Sequence, residues 1–144
     1  MRRCGNELGE LEVEALNKQY KITIPGTLPS LNEYINAERG NRYQAAKIKR
    51  QAEDKIVMCI WEQAPGLKFT GPVHISYTWY EANQRRDKDN IAFAKKFVQD
   101  ALVKAGVISN DGWGEIVSFS DEFRVDKSNP RVEVVIGSKE KGGE

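Results

Sequence analysis

Histidine and cysteine are scarce in this chain: 144 residues include one histidine, His74, and two cysteines, Cys4 and Cys59. A single histidine leaves no basis for a zinc cluster or for a Ser-His-Asp or Cys-His catalytic machine. Two cysteines far apart in sequence exclude a disulfide framework and suit a reducing compartment. No apolar run approaches the roughly 18 residues a membrane helix needs, and the N-terminal stretch lacks the apolar core of a signal peptide, so a cytoplasmic protein with no membrane partner is expected. There is no excess of one charge either, since the formal net charge is only +1. Internal repeats and coiled-coil heptads are missing. Chemistry, if there is any, has to run on carboxylates, lysine and a metal.

What is present is an uneven distribution of ordinary composition. The length suits one domain, with catalysis and binding sharing one scaffold. Residues 38–55 hold six basic side chains (Arg39, Arg42, Lys47, Lys49, Arg50, Lys55) against three acidic ones (Glu38, Glu53, Asp54). Residues 82–96 hold five basic side chains against the two aspartates Asp87 and Asp89. Glutamates near the N-terminus offset both. The pattern fits a basic footprint around an acidic centre, and equally a solvated helix face.

Residues 1–18 read as a polar, glutamate-rich lead that carries no site. Residues 20–25 alternate as a first strand ended by Pro25-Gly26. Ser30-Leu31-Asn32-Glu33 matches a capping box and opens a short helix stopping near Gly40. A longer helix is expected over 42–63, with Ala45, Ala52, Ile56, Cys59 and Ile60 as its core stripe. Residues 73–80 give the clearest alternation, with Val73, Ile75, Tyr77 and Trp79 on one face and His74 in a cross-strand or surface position on the other. A helix over 89–105 is closed by Gly106. Residues 116–125 and 131–136 are expected as two strands forming an antiparallel hairpin, and 138–144 as a charged, glycine-rich tail. The fold class that follows is α+β: one small domain with a mixed sheet of about four strands, helices packed on it, and the order β-α-α-β-α-β-β.

Arg85-Arg86-Asp87-Lys88-Asp89-Asn90 is the most informative stretch. Two carboxylates two residues apart repel, and a divalent cation with oxygen ligands is the usual way to keep both ionised. At about 100° per residue from Asp89, the apolar side chains Ile91, Ala94, Val98, Ala101, Leu102 and Ala105 fall on the opposite side, and Lys96 returns to the face of Asp89 while Lys95 turns aside. Asp89 also lies near a helix N-terminus, where anions are favoured. The competing readings are that Asp87 or Asp89 merely caps the helix, and that Lys96 and Asp100 are a solvated i, i+4 pair. A calcium loop does not fit, because Ile91 and Ala92 stand where a ligand and a glycine are required.

The succession Arg85-Arg86-Asp87-Lys88-Asp89-Asn90, a lysine in the following helix, Asp100-Ala101-Leu102-Val103-Lys104-Ala105-Gly106, and Asn110-Asp111 resembles the RusA family of Holliday junction resolvases. The resemblance is strongest from Arg85 to Asp111 and extends more loosely over 20–136, making 19–137 a RusA-like nuclease domain. It implies a homodimeric endonuclease, dependent on Mg²⁺ or Mn²⁺, that binds four-way DNA junctions and nicks two strands symmetrically. It carries the metal-binding aspartates onto Asp87, Asp89 and Asp111 and the catalytic lysine onto Lys96. Arg85, Arg86, Lys95, Lys96 and Asn90 would contact DNA or support the site, Lys95 standing as the substitute for Lys96. The stretch between the aspartate pair and Asp100 is longer by about one helical turn than in the family's best-known pattern, which shifts Lys96 along the axis by roughly 4.5 Å. Asn110 stands where an acidic residue can occur. The alternatives are a nuclease for flaps or forks and a non-catalytic recombination or packaging accessory. Trp113, amid Val107, Ile108 and Ile116, is expected in the core rather than as a wedge at a branch point, and Tyr34 and Tyr43 are read with the same preference.

Overall fold

Strict alternation of apolar and polar residues makes a strand that can bury one face, and Val73–Glu81 does so: Val73, Ile75, Tyr77 and Trp79 are all essentially inaccessible to solvent. This strand is the second of four in a computed structural model that describes residues 19–139. The lead expected over 1–18 lies outside the described residues, as do residues 140–144 of the tail expected over 138–144, whose first residue, Ser138, instead closes the last strand. In chain order the elements are β1 (Gln19–Pro25), α1 (Leu31–Gly40), α2 (Arg42–Gln63), β2 (Val73–Glu81), α3 (Lys88–Ala92), α4 (Lys95–Lys104), β3 (Ile116–Val125) and β4 (Arg131–Ser138). The α+β class and the element order expected from the sequence hold, with the third helix divided in two.

The sheet runs β1-β4-β2-β3. β4 pairs antiparallel with β1 on one side and with β2 on the other, while β3 pairs parallel with β2 along the opposite edge. The expected hairpin of 116–125 with 131–136 is therefore wrong. The connection at 126–130 passes the end of β2, where the Asp126 N–H donates to the Glu81 carbonyl at 2.8 Å. Arg131 fixes the far side by ion pairs to Asp126 and Glu133, with its guanidinium 3.7 Å from the centre of the Tyr80 ring. Across the β2–β3 seam the His74 Nδ1 lies 2.6 Å from the Ser118 hydroxyl, the cross-strand position expected for it.

The helices cover one face of the sheet. α1 begins with the capping box: Ser30 Oγ accepts from the Glu33 N–H, and the Glu33 carboxylate accepts from the Ser30 N–H. α2 buries Ala45, Ala52, Ile56, Cys59 and Ile60 as expected, together with Val57 and the charged Glu53. α3 and α4 do not form one regular helix. Around Phe93 and Ala94 the hydrogen bonds shorten to the i−3 pattern, from Ala94 to Ile91, Lys96 to Phe93 and Phe97 to Ala94. Phe93 sits at this tightening in contact with Tyr34 and Phe97, at 5.6 and 5.5 Å between ring centres. A tighter turn rotates each residue by more than 100°, so the facing argument made for Asp89 and Lys96 does not carry across it.

α4 ends in a Schellman motif. The Val107 N–H donates to the Leu102 carbonyl and the Gly106 N–H to that of Val103, with Gly106 at φ +84. Nothing crowds Gly106, so an added Cβ meets only the left-handed backbone penalty. Gly106→Ala is expected to cost about 1 kcal/mol and lower the thermal midpoint by roughly 4 °C in a melt followed by circular dichroism.

Candidate active-site groove

The turn after β2 and the short α3 carry Asp87 and Asp89 to the rim of a cleft of about 790 Å³, which is also lined by Glu81, Lys88, Phe123 and Val125. Asp87 occupies the N-cap position of α3 with extended backbone, yet its side chain makes no capping hydrogen bond. Neither the Asp87 nor the Asp89 carboxylate has a hydrogen-bond or ion-pair partner among the described residues. Helix capping therefore does not account for this pair. Two unpartnered carboxylates facing one cleft are hard oxygen donors of the kind Mg²⁺ takes.

Asp111 faces a second cavity, of about 300 Å³, with Gln99, Trp113, Val117 and Phe119 on its walls. Both cavities open on the helix side of β3. The β2–β3 register sets Phe119 beside Ile75 and Phe123 beside Trp79, and those two β2 side chains point into the core. Between the cavities Lys95 Nζ donates to Asp121, which also accepts from Trp79 Nε1 at 2.8 Å, and the Lys95 ammonium lies 4.2 Å from the centre of the Phe119 ring. Phe119 and Phe123 are about 13 Å apart along the strand. The structure brings Asp87 and Asp89 together and leaves Asp111 in the neighbouring cavity. Among the described residues no three His, Cys, Asp or Glu side chains are grouped to hold a metal ion. The aspartate pair fits a divalent cation; the convergence of all three within one chain does not occur.

The two lysines separate clearly. The Lys95 side chain is 17% exposed and its ammonium is engaged by Asp121 within the fold. Lys96 is 59% exposed, with Nζ 3.2 Å from Asp100 and 3.6 Å from Asp111. Its hydrogen bond to Asp100, reinforced by the charges of Asp100 and Asp111, raises its pKa and favours the ammonium form. The i, i+4 pair foreseen with Asp100 is real, and it also bridges to Asp111. Lys49 continues the series from Asp100 to Glu53, a carboxylate only 5% exposed that Lys104 also reaches at 3.2 Å. Sequence reading gave Glu53 no role; its signal was the i, i+4 spacing of Lys49 and Glu53 on a face otherwise apolar.

Arg86 and Asn90 are tied into the fold. Arg86 makes a two-pronged pair with the buried Glu81, at 3.0 and 2.8 Å, and donates a further bond to the Leu28 carbonyl. Asn90 Oδ1 accepts from the Asn32 N–H at the start of α1, at 2.8 Å, joining α3 to α1. Arg85 differs: it is exposed, and its side chain has no partner among the described residues. Trp113 is not in the core but 97% exposed, and Tyr43 is exposed too, whereas Tyr34 packs half-buried against Phe93.

The fold and groove together define a small α+β domain with an acidic pair, a third carboxylate bridged by Lys96, and exposed basic side chains around α2 and in the turn after β2. The family model for endodeoxyribonuclease RusA matches residues 25–137, most of the chain, and the chain belongs to that family of nucleases. No curated protein gives a significant match. Among the described residues no helix is long and apolar enough to cross a membrane.

Proposed function

We propose that this nuclease resolves four-way DNA junctions by paired, symmetric hydrolysis of two phosphodiesters with the help of Mg²⁺. The observation that carries the reading is the Asp87–Asp89 pair, two carboxylates without partners among the described residues that open into one cleft of a RusA-family chain. Asp87 and Asp89 would hold the ion, which when bound supplies an activated water and stabilises charge on the phosphate. Lys96, a cation beside Asp111, would hold the scissile phosphate as a point charge. Arg85 would take a neighbouring phosphate, as would Arg39, Arg42, Lys47, Arg50 and Lys55 around α2, all exposed and unpaired among the described residues. Lys49, engaged by Glu53 and Asp100, is left out of that footprint.

A two-fold homodimer belongs to the reading, because a four-way junction has approximate two-fold symmetry and presents two strands to cut. β3 is the longer of the two edge strands among the described residues, ten residues long, with Val117, Phe119 and Val125 exposed. Antiparallel pairing of two β3 edges about an axis normal to the sheet keeps both helix faces on one side. It would set the Phe123 and Val125 end of one subunit beside the Val117 and Phe119 end of the other. The Asp87–Asp89 pair of one copy and Asp111 of the second would then share a site, consistent with their separation within a single chain.

The test is cleavage of a four-way junction, a matched duplex and a matched flap in Mg²⁺. Paired nicks in opposing strands of the junction, with much slower cutting of the duplex, are expected. Equal rates on duplex would remove junction selectivity, and no metal-dependent cutting of any substrate would leave a DNA-binding accessory.

A further inference from the structure

Trp113 stands almost wholly in water at the head of the loop leading into β3, although Val107, Ile108 and the half-buried Ile116 show that core is available within a few residues. Burying a large apolar side chain is worth about 1.5–3 kcal/mol, so a fold that leaves an indole out forgoes that gain. Gly112 and Gly114 flank it, and Gly114 has open space where a side chain would sit. Trp113 forms one wall of the 300 Å³ cavity, and Phe119, half exposed on β3, forms another.

The chemistry of this cavity suits a flat heteroaromatic group. Its walls are aromatic and aliphatic, from Trp113, Phe119, Ile116 and Val117. Its polar residues are Asp111, Ser118, whose hydroxyl is engaged by His74, and Gln99, whose Nε2 donates to the Tyr77 hydroxyl and whose oxygen is left as an acceptor. A nucleobase has two apolar faces and an edge of amino and carbonyl groups, and base–aromatic stacking tolerates any of the four bases. The cavity adjoins Lys96, the cation assigned to the phosphate, so a base leaving the stack there stays attached to a backbone already held. DNA at a branch offers such a base at low cost because stacking is already interrupted.

We infer that Trp113 stacks on an unstacked nucleobase at the branch of bound DNA, with Phe119 and Gln99 completing the pocket; this rests on the junction-resolving reading. Trp113 thereby acts as the residue that tells a branch from plain duplex.

The experiment uses the full chain with magnesium withheld, four-way junctions carrying 5-iodouracil at the branch, and the matched duplex. Wild type, Trp113→Phe and Trp113→Ala are compared for affinity, for the residue photocrosslinked, and for sedimentation. The expected result is a crosslink to Trp113, a loss of junction affinity of about 5- to 150-fold for Trp113→Ala with most of it kept by Trp113→Phe, and duplex affinity unchanged. Wild-type affinity for the junction in Trp113→Ala, or a crosslink elsewhere, overturns the inference. So does sedimentation of Trp113→Ala at half the wild-type mass, which would make the indole a subunit contact. Should wild type show no preference for junction over duplex, the junction reading fails by itself. The same iodouracil in a single-stranded oligonucleotide then scores the stack separately, a crosslink to Trp113 sustaining it and none ending it.

Discussion

Asp89→Asn is expected to reduce junction cleavage at least about a hundredfold while leaving junction binding and thermal stability nearly unchanged. Loss of a group that only orients a metal ligand costs 10- to 100-fold, so replacing a ligand itself should reach the upper end or exceed it. This carboxylate has no partner among the described residues, and a stability change within about 0.5 kcal/mol follows. Single-turnover cleavage, a binding titration and a melt check the three statements together. Asp111→Asn should behave alike in cleavage. Mixing the two variants separates the possible arrangements: each homodimer carries a lesion in every site, but a mixed dimer whose sites draw on both subunits has one site intact. Such a mixture is expected to recover nicking of a single strand without paired resolution. If the mixture stays inactive under conditions where subunits exchange, the three aspartates act within one chain and the shared-site arrangement is wrong.

Arg86→Ala is expected to destabilise the protein by about 2–3 kcal/mol, a fall of roughly 10 °C in the melting midpoint. Removing one partner of a fully buried ion pair costs about 3–5 kcal/mol because the other charge is stranded. The figure here is lower, since 24% of the Arg86 side chain remains exposed. Its neighbour gives the contrast. Arg85→Ala should leave stability within about 0.5 kcal/mol of wild type while weakening binding to every DNA substrate similarly and lowering the slope of log affinity against log salt by about 1. A melt and a salt titration on both variants decide it. Unchanged stability in Arg86→Ala would show that the fork to Glu81 is dispensable.

These two arginines mark how far sequence could be read. Residue types at Arg85, Arg86, Asp87 and Asp89 announced a polyanion and a cation, and local periodicity located the elements: the alternating Val73, Ile75, Tyr77 and Trp79, the capping box at Ser30, the glycine stop at Gly106. Which arginine points outward depends on Glu81, buried at the end of a strand and paired across five residues, and nothing in the local pattern reveals that choice. The partner of β3 was illegible for a related reason. Val117, Phe119, Phe123 and Val125 alternate in the same way whether the strand pairs with β4 or with β2, and only the tertiary packing selects β2. Lys96 was chosen over Lys95 on the assumption of a regular helix through Phe93, where aromatic contacts with Tyr34 and Phe97 accompany a tighter turn that the local pattern does not reveal. Trp113 was assigned by its apolar neighbours Val107 and Ile108, although the loop places it beyond them.

The position of β4 has a consequence for how the chain is made. Because the last of the four strands is the one inserted between β1 and β2, those two have no direct contact in the sheet, and during synthesis β1 has no neighbour to zip onto until residues 131–138 emerge. Assembly of the nuclease thus waits on a long-range closure, the slow kind of step in which open edges stay exposed to other chains. A ribosome stalled before β4 would release a half-sheet with its acidic pair already present and no finished scaffold to hold it.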